Sequence, residues 1–186
     1  MISTSDFRKG AKIEHKGAPH EIIEFQHHKM GRGGAIVRTK LKNLITGSIF
    51  DDSFKGGEKF KVPNLEEKSM QYLYSDGDQF HFMDNESYEQ TQLTEEQLGE
   101  AKKFMKENMA VKMLYYSGSP IAVDVPMFVE LKIAKTDPGF KGDTASGGSK
   151  PAVLESGVTV KVPFHLNEGD TVKIDTRTSE YIERVS

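Results

Sequence analysis

Cysteine is absent from all 186 residues of the chain. Disulfide staples, cysteine-ligated metal and thiol catalysis are thereby excluded. The opening Met1-Ile2-Ser3-Thr4-Ser5-Asp6 carries neither the basic nor the apolar segment of a secretion signal. No apolar run approaches membrane-spanning length. The expectation is a soluble cytoplasmic protein with no membrane role. Asn85-Glu86-Ser87 fits a glycosylation sequon by pattern alone and carries no weight without a secretion signal.

Constellations that would carry chemistry are missing too. The histidines are His15, His20, His27, His28, His81 and His165. None has the i, i+4 helical spacing with a carboxylate that zinc needs, and adjacent His27 and His28 would point opposite ways on a strand. No metal and no cofactor is expected. Gly142 and Gly147 have the spacing of a phosphate-binding loop, but Gly148 stands where its lysine must be, and no helix pattern follows. There is no Gly-x-Ser-x-Gly elbow and no acid–base set, so the chain is read as something other than an enzyme.

Acidic residues are missing from one stretch in particular. None occurs from Gln26 to Ser48, and in its middle lies His27-His28-Lys29-Met30-Gly31-Arg32-Gly33-Gly34-Ala35. A strand-like run, Glu21 to Gln26, precedes it. The following residues alternate, with Ala35, Val37, Thr39 and Leu41 on one face and Ile36, Arg38, Lys40 and Lys42 on the other. The spacing predicts a hairpin whose loop, 27–35, projects because it is too long for a two-residue turn. Its cations and glycines suit close approach to a polyanion. The candidate RNA-binding residues are Lys29, Gly31, Arg32, Gly33, Arg38, Lys40 and Lys42, read as one continuous basic ridge. The competing reading is a solvated hairpin tip.

Charge is uneven along the chain. The formal net charge is −3, but residues 1–63 carry +5, residues 64–126 carry −7 and residues 127–186 carry −1. A basic first third beside an acidic middle suggests that the first third faces nucleic acid.

Short strand signals fill the rest. In the first third they are Phe7–Glu14, Glu21–Gln26, Ala35–Asn43 and Ser48–Phe54, with turns at Gly17 and Gly47. The middle third offers Ser69–Ser75, Gln79–Met83, Val111–Tyr116 and Ile121–Val125. Its aromatics Tyr72, Tyr74, Phe80 and Phe82 either stack bases or fill a core, and the acidic surroundings favour the core. Thr94-Glu95-Glu96-Gln97 is a capping box, followed by Leu98, Ala101, Phe104 and Met105 at helical spacing: a short helix plugging a barrel. The last third has Phe128–Ala134, a polar stretch from Lys135 to Lys150, then strands at Val158–Val162, Thr171–Asp175 and Tyr181–Val185. These signals predict an all-β protein of small barrels, the later two of the oligonucleotide-binding (OB) type.

Residues Lys150-Pro151-Ala152-Val153-Leu154-Glu155-Ser156-Gly157-Val158-Thr159-Val160-Lys161-Val162-Pro163-Phe164-His165-Leu166-Asn167-Glu168-Gly169 resemble the signature of bacterial elongation factor P. Asp137-Pro138-Gly139-Phe140-Lys141-Gly142-Asp143-Thr144, Tyr72-Leu73-Tyr74 with Phe82-Met83-Asp84, Asp175-Thr176-Arg177 with Glu180-Tyr181, and the opening Asp6-Phe7-Arg8-Lys9-Gly10 extend the likeness over the whole chain. The resemblance implies three β-barrel domains: an SH3-like or KOW-like barrel at 1–63, an acidic OB domain with one short helix at 64–126, and a second OB domain at 127–186. They form an L shaped like tRNA. It implies a monomer that binds the 70S ribosome between the P and E sites. There it contacts P-site peptidyl-tRNA, stimulates peptide-bond formation and relieves stalling at consecutive prolines. The loop tip meets the acceptor end and is often modified. Here the tip is Arg32, which implies rhamnose, added by an arginine rhamnosyltransferase, or no modification; Met30 stands where the family often has proline. Gly142, Asp143 and Thr144 match a loop contacting messenger RNA near the E site. The alternatives are a paralogue of that factor and a general single-stranded RNA-binding barrel protein using Tyr72 and Phe80.

Overall fold

The computed structural model describes residues 1–139 and 148–186. The first segment begins with β1 (Ile2–Ser3), a 3-10 turn at Thr4–Asp6, β2 (Lys12–His15), β3 (Ala18–Met30), β4 (Gly34–Asn43), β5 (Ile49–Lys55) and β6 (Lys59–Phe60). Strands β2-β3-β4-β5 form an antiparallel sheet in sequence order, and β1 pairs with β6 beside it. Alternation explains β4: Val37, Thr39 and Leu41 are buried, while Arg38 between them is exposed. Val37 and Leu41 join Phe7, Ile13, Ile22, Phe54 and Phe60 in one core. Each large apolar side chain buried there contributes about 1.5–3 kcal/mol. Phe7 enters this core from a loop, not from the strand expected over Phe7–Glu14, because the backbone reverses at Gly10 before β2 begins.

The middle of the chain holds β7 (Leu65–Ser75), β8 (Gln79–Asp84), β9 (Gln90–Thr94), α1 (Glu95–Leu98) with a 3-10 continuation at Gly99–Phe104, β10 (Ala110–Tyr116) and β11 (Ser119–Asp124). The sheet runs β11-β10-β7-β8-β9. Strand β9 escaped sequence reading because only Leu93 of its five residues is buried and it lies at the sheet edge. The capping box forms as its sequence predicts: the Thr94 side chain accepts from Gln97 N, and Gln97 Oε1 accepts from Thr94 N at 2.9 Å. Tyr72, Phe80 and Phe82 are buried core side chains, whereas Tyr74, expected in the core with them, is 46% exposed and stacks on His81.

Last come β12 (Phe128–Thr136), β13 (Ser149–Leu154), β14 (Thr159–Pro163), β15 (Thr171–Asp175) and β16 (Glu180–Arg184), in the order β14-β13-β12-β15-β16. Strand β13 lay hidden at the end of a polar stretch and contains Pro151. Proline is tolerated because β12 ends at Thr136, opposite Ala152, so Pro151 has no neighbour on that side needing its N–H. The architecture is thus all-β, with few helical turns and barrel-like sheets. By contacts the described residues divide into two compact units, Met1–Lys68 with Met113–Ala122 and Ser69–Lys112 with Val123–Ser186.

Three buried or paired groups make stability pH-dependent with one sign. Burial holds the His20 imidazole below its ordinary 6.5. The His81 hydrogen bond holds Asp76 below its ordinary 3.8, and the Arg177 side chain does the same for Asp175. In each case the unfolded chain takes up its proton at a higher pH than the folded one, so acidification favours unfolding. Stability should therefore fall as the pH drops below about 6.5, through His20, and fall again below about 3.8, through the aspartates. Urea unfolding followed from pH 7.5 downward checks this, and His20→Gln should remove the first step alone. A midpoint constant between about pH 7 and 5 would contradict the assignment.

Candidate nucleic-acid interface

The β3–β4 ladder continues much further than alternation alone suggests. It pairs His27 with Val37, His28 with Ile36, Lys29 with Ala35 and Met30 with Gly34. The projecting loop expected over 27–35 is therefore corrected to Gly31-Arg32-Gly33. Both flanks accept strand geometry, so backbone pairing extends until the chain must reverse. A three-residue hairpin loop closes with a residue in the left-handed region, and Gly34 supplies it at φ +84°. Behind the tip, Gly56 N donates to Ala35 O at 2.8 Å and holds the turn after β5 against the base of the hairpin.

Lys29, Gly31, Arg32 and Gly33 are all exposed. Among the described residues Arg32 makes no ion pair, so its guanidinium is free to meet an anion. Directly opposed residues share a face of an antiparallel pair. Lys29, opposite Ala35, thus lies on the same face as Val37 and Thr39, whereas Arg38, Lys40 and Lys42 lie on the other. The single basic ridge expected from alternation is divided: Lys29 flanks the tip on one face and the three other cations descend the opposite one.

That outer face is not uniformly basic. Lys40 lies between Glu24 on β3 and Asp51 on β5, with its Nζ 3.9 Å from Glu24 Oε2. An exposed pair of this kind is worth at most about 1 kcal/mol, but it offsets the charge of Lys40 locally. Lys42 lies between Glu21 and Ile49. Arg38 instead lies between Gln26 and Ser53, and among the described residues it has no ion-pair partner. A shallow groove of about 540 Å³ crosses these strands, with Gln26, Arg38, Lys40 and Ser53 in its lining.

The second candidate region, Gly142, Asp143 and Thr144, lies outside the described residues. Gly139 lies so close to the Phe164 carbonyl that a Cβ there would collide with it, so only glycine fits. Lys150, 6% exposed, donates from Nζ to Asp137 O, and Thr136 Oγ1 donates to Pro151 O at 2.9 Å. Sequence reading assigned no role to Lys150. The signal was available: Lys150 alternates with Ala152 and Leu154, which are core positions, and a lysine on that face needs an internal acceptor. Among the described residues no cluster of histidine and carboxylate side chains could hold a metal ion. No helix of the described chain is long and apolar enough to cross a membrane.

The fold and this hairpin define a class: all-β proteins of barrel-like sheets with an exposed arginine at the tip of a long paired hairpin. Two solved structures share the fold. The eukaryotic translation initiation factor 5A from Methanococcus jannaschii aligns with a TM-score of 0.54 at 22% identity, over 64% of this chain and 88% of that one. An initiation factor 5A family protein from Naegleria fowleri aligns at 0.52 and 19%, over 67% and 96%. Closer relationships come from sequence. Residues 3–60 match the KOW-like domain of elongation factor P, residues 65–123 its OB domain and residues 129–184 its C-terminal domain. The elongation factor P of Thermodesulfovibrio yellowstonii is 60% identical over 100% of this chain and 99% of its own length. That of Natranaerobius thermophilus is 54% identical over 100% and 98%. The chain belongs to the elongation factor P family of translation factors.

Proposed function

We propose that the chain acts on the 70S ribosome between the P and E sites, where it contacts peptidyl-tRNA, stimulates peptide-bond formation and relieves stalling at consecutive prolines. It works in the cytoplasm as a monomer of three domains, 1–63, 64–126 and 127–186. It performs no covalent chemistry and uses no cofactor. Proline is a constrained partner in peptide transfer, and its reacting ends meet poorly. Steadying the tRNA end lowers the entropic cost of reaching attack geometry, while the ribosome supplies the reaction itself.

In this reading Arg32 meets the acceptor end. Lys29, Arg38, Lys40 and Lys42, with the backbone of Gly31 and Gly33, engage phosphates, and Gly142, Asp143 and Thr144 reach messenger RNA near the E site. Arg32 is also the residue an arginine rhamnosyltransferase would modify. The observation that carries the reading is the free, exposed Arg32 at the end of a long paired hairpin. A general single-stranded RNA binder stacking bases on Tyr72 and Phe80 is disfavoured, since each is only 6% exposed.

Protein purified from its native host should be added to a reconstituted translation system. It should accelerate synthesis through three consecutive prolines by about 10- to 100-fold and leave a proline-free message unchanged. Equal rates with and without the protein on the proline message would overturn the reading.

A further inference from the structure

The sheet of the last third is left open along one seam. Strands β14 and β16 stand at its two ends, and no ladder joins them. Register fixes which way their backbone groups point. Leu154 N donates to Val158 O and Gly157 N donates to Leu154 O, both at 2.9 Å, so Leu154 faces β14 with its backbone groups. Alternation then bonds Ala152 to Val160 and Lys150 to Val162, and turns the N–H and C=O groups of Thr159 and Lys161 away from β13. Across the seam Ser179 N donates to Asp175 O at 2.8 Å, so Asp175 faces β16. The next residue, Ile174, opposes Tyr181, and the backbone groups of Tyr181 turn away from β15. Among the described residues no strand pairs with these groups of Thr159, Lys161 and Tyr181.

A cleft of about 850 Å³ lies here, with Thr159, Lys161, Phe164, His165, Glu180 and Tyr181 in its lining. That volume falls within the usual range of ligand sites. Phe164 and Tyr181 are half-buried and supply apolar surface, whereas Thr159, Lys161, His165 and Glu180 are exposed. The cleft therefore offers two kinds of contact at once, unpaired backbone groups and aromatic rings. Its charge is mixed, with Lys161 on β14 and Glu180 on β16. Residues 127–186 carry a net −1, and the nearby Arg177 is held by Asp175 at 3.1 Å. A polyanion gains little from such a site, while a segment carrying both signs is complementary to it. The open edge is also short. Pro163 has no N–H, and its C=O already accepts from Leu166 N at 3.3 Å.

We propose that this cleft takes a short extended segment of a partner protein, which adds itself to β14 as a strand. The segment exchanges backbone hydrogen bonds with Thr159 and Lys161, and these supply its affinity. Side chains of a strand alternate between two faces, so every second residue of the segment packs on Phe164 and Tyr181. Aliphatic or aromatic residues fit there. An acidic residue of the segment meets Lys161, and a basic one meets Glu180. The site stands on strand geometry in the last third alone and is independent of what the hairpin tip does.

The test is titration of the isotope-labelled full chain, followed by amide NMR, with a set of acetylated and amidated heptapeptides. Each alternates valine or tyrosine with threonine and carries glutamate near one end and lysine near the other. The amide signals of Thr159, Lys161 and Tyr181 should shift together, and solvent exchange of the Lys161 amide should slow about tenfold at saturation. Methylating the backbone nitrogen of every second peptide residue should abolish binding in at least one of the two registers, because it removes the donors that face β14. Lys161→Glu and Glu180→Lys change exposed side chains, so both should fold, and each should weaken binding about fivefold. A peptide set that moves none of the three amides at about 1 mM overturns the site. Binding that survives methylation in both registers overturns it too, since the contact would not be a strand. Hexauridylate that moves the same amides at lower concentration than any peptide would replace the protein segment with RNA and overturn the proposal.

Discussion

Replacing Arg32 by alanine is expected to abolish most of the acceleration through proline runs while leaving the fold intact. Its side chain is exposed and, among the described residues, ion-paired with nothing, so the folded state loses no contact. Exposed substitutions of this kind change stability by about 0.5 kcal/mol at most, a shift of about 2 °C or less in Tm for a chain of this size. The effect on function is of another order. A charge-assisted hydrogen bond contributes about 1.5–3 kcal/mol, and loss of alignment at the reacting end adds to that, so a rate reduction of about 10- to 100-fold is expected. Arg32→Lys keeps the charge but loses the planar fork, and should recover only part of the rate. Thermal unfolding and timed synthesis on the same preparation separate the two quantities. Undiminished synthesis by Arg32→Ala would remove the tip from the mechanism.

Much of the fold around the hairpin was legible in the residues alone, and what was missed shares one cause. Alternation from Ala35 to Lys42 put Ala35, Val37, Thr39 and Leu41 on one face; the last three are buried, while Ala35, next to the tip, is exposed. The capping box at Thr94 gave the helix start, and the acidic surroundings of Tyr72 and Phe80 marked them as core. Alternation describes one strand at a time. It cannot show that Lys40 will stand between Glu24 and Asp51, or that Lys55 will stand beside Ile36, because those neighbours come from register. The extent of the ladder was likewise hidden. Nothing in His27-His28-Lys29-Met30 distinguishes a loop from a strand until Gly34 to Val37 are placed opposite. Family resemblance located the tip at Arg32, but the division of cations between two faces needed the pairing itself.

Phe104→Ala should destabilise the fold far more than any change at the hairpin, by about 3–5 kcal/mol, or roughly 10 °C in Tm. The residue follows α1, and helical spacing alone suggested a short helix plugging a barrel without saying which one. It is 2% exposed, and its cluster is Val129, Leu131, Ile133, Ala152, Leu154, Val160, Val162, Leu166, Val172 and Ile174, all from the last third. Met109 and Val125 pack against the same cluster. Polar contacts follow the ring to the same place. Ser156 Oγ donates to Lys103 O, and Lys106 Nζ donates to Glu130 O at 2.8 Å while lying 3.9 Å from Glu155 Oε1. These contacts are exposed and contribute about 1 kcal/mol or less each, so the aromatic ring is the dominant fastening. Its removal opens a cavity that β-strands on all sides cannot readily collapse to fill. Hydrogen exchange should then rise first in β12–β16, whose core loses the ring, and Phe104→Leu should restore most of the protection. A loss below about 1 kcal/mol for Phe104→Ala would mean that the last third closes its core without help from the segment after α1.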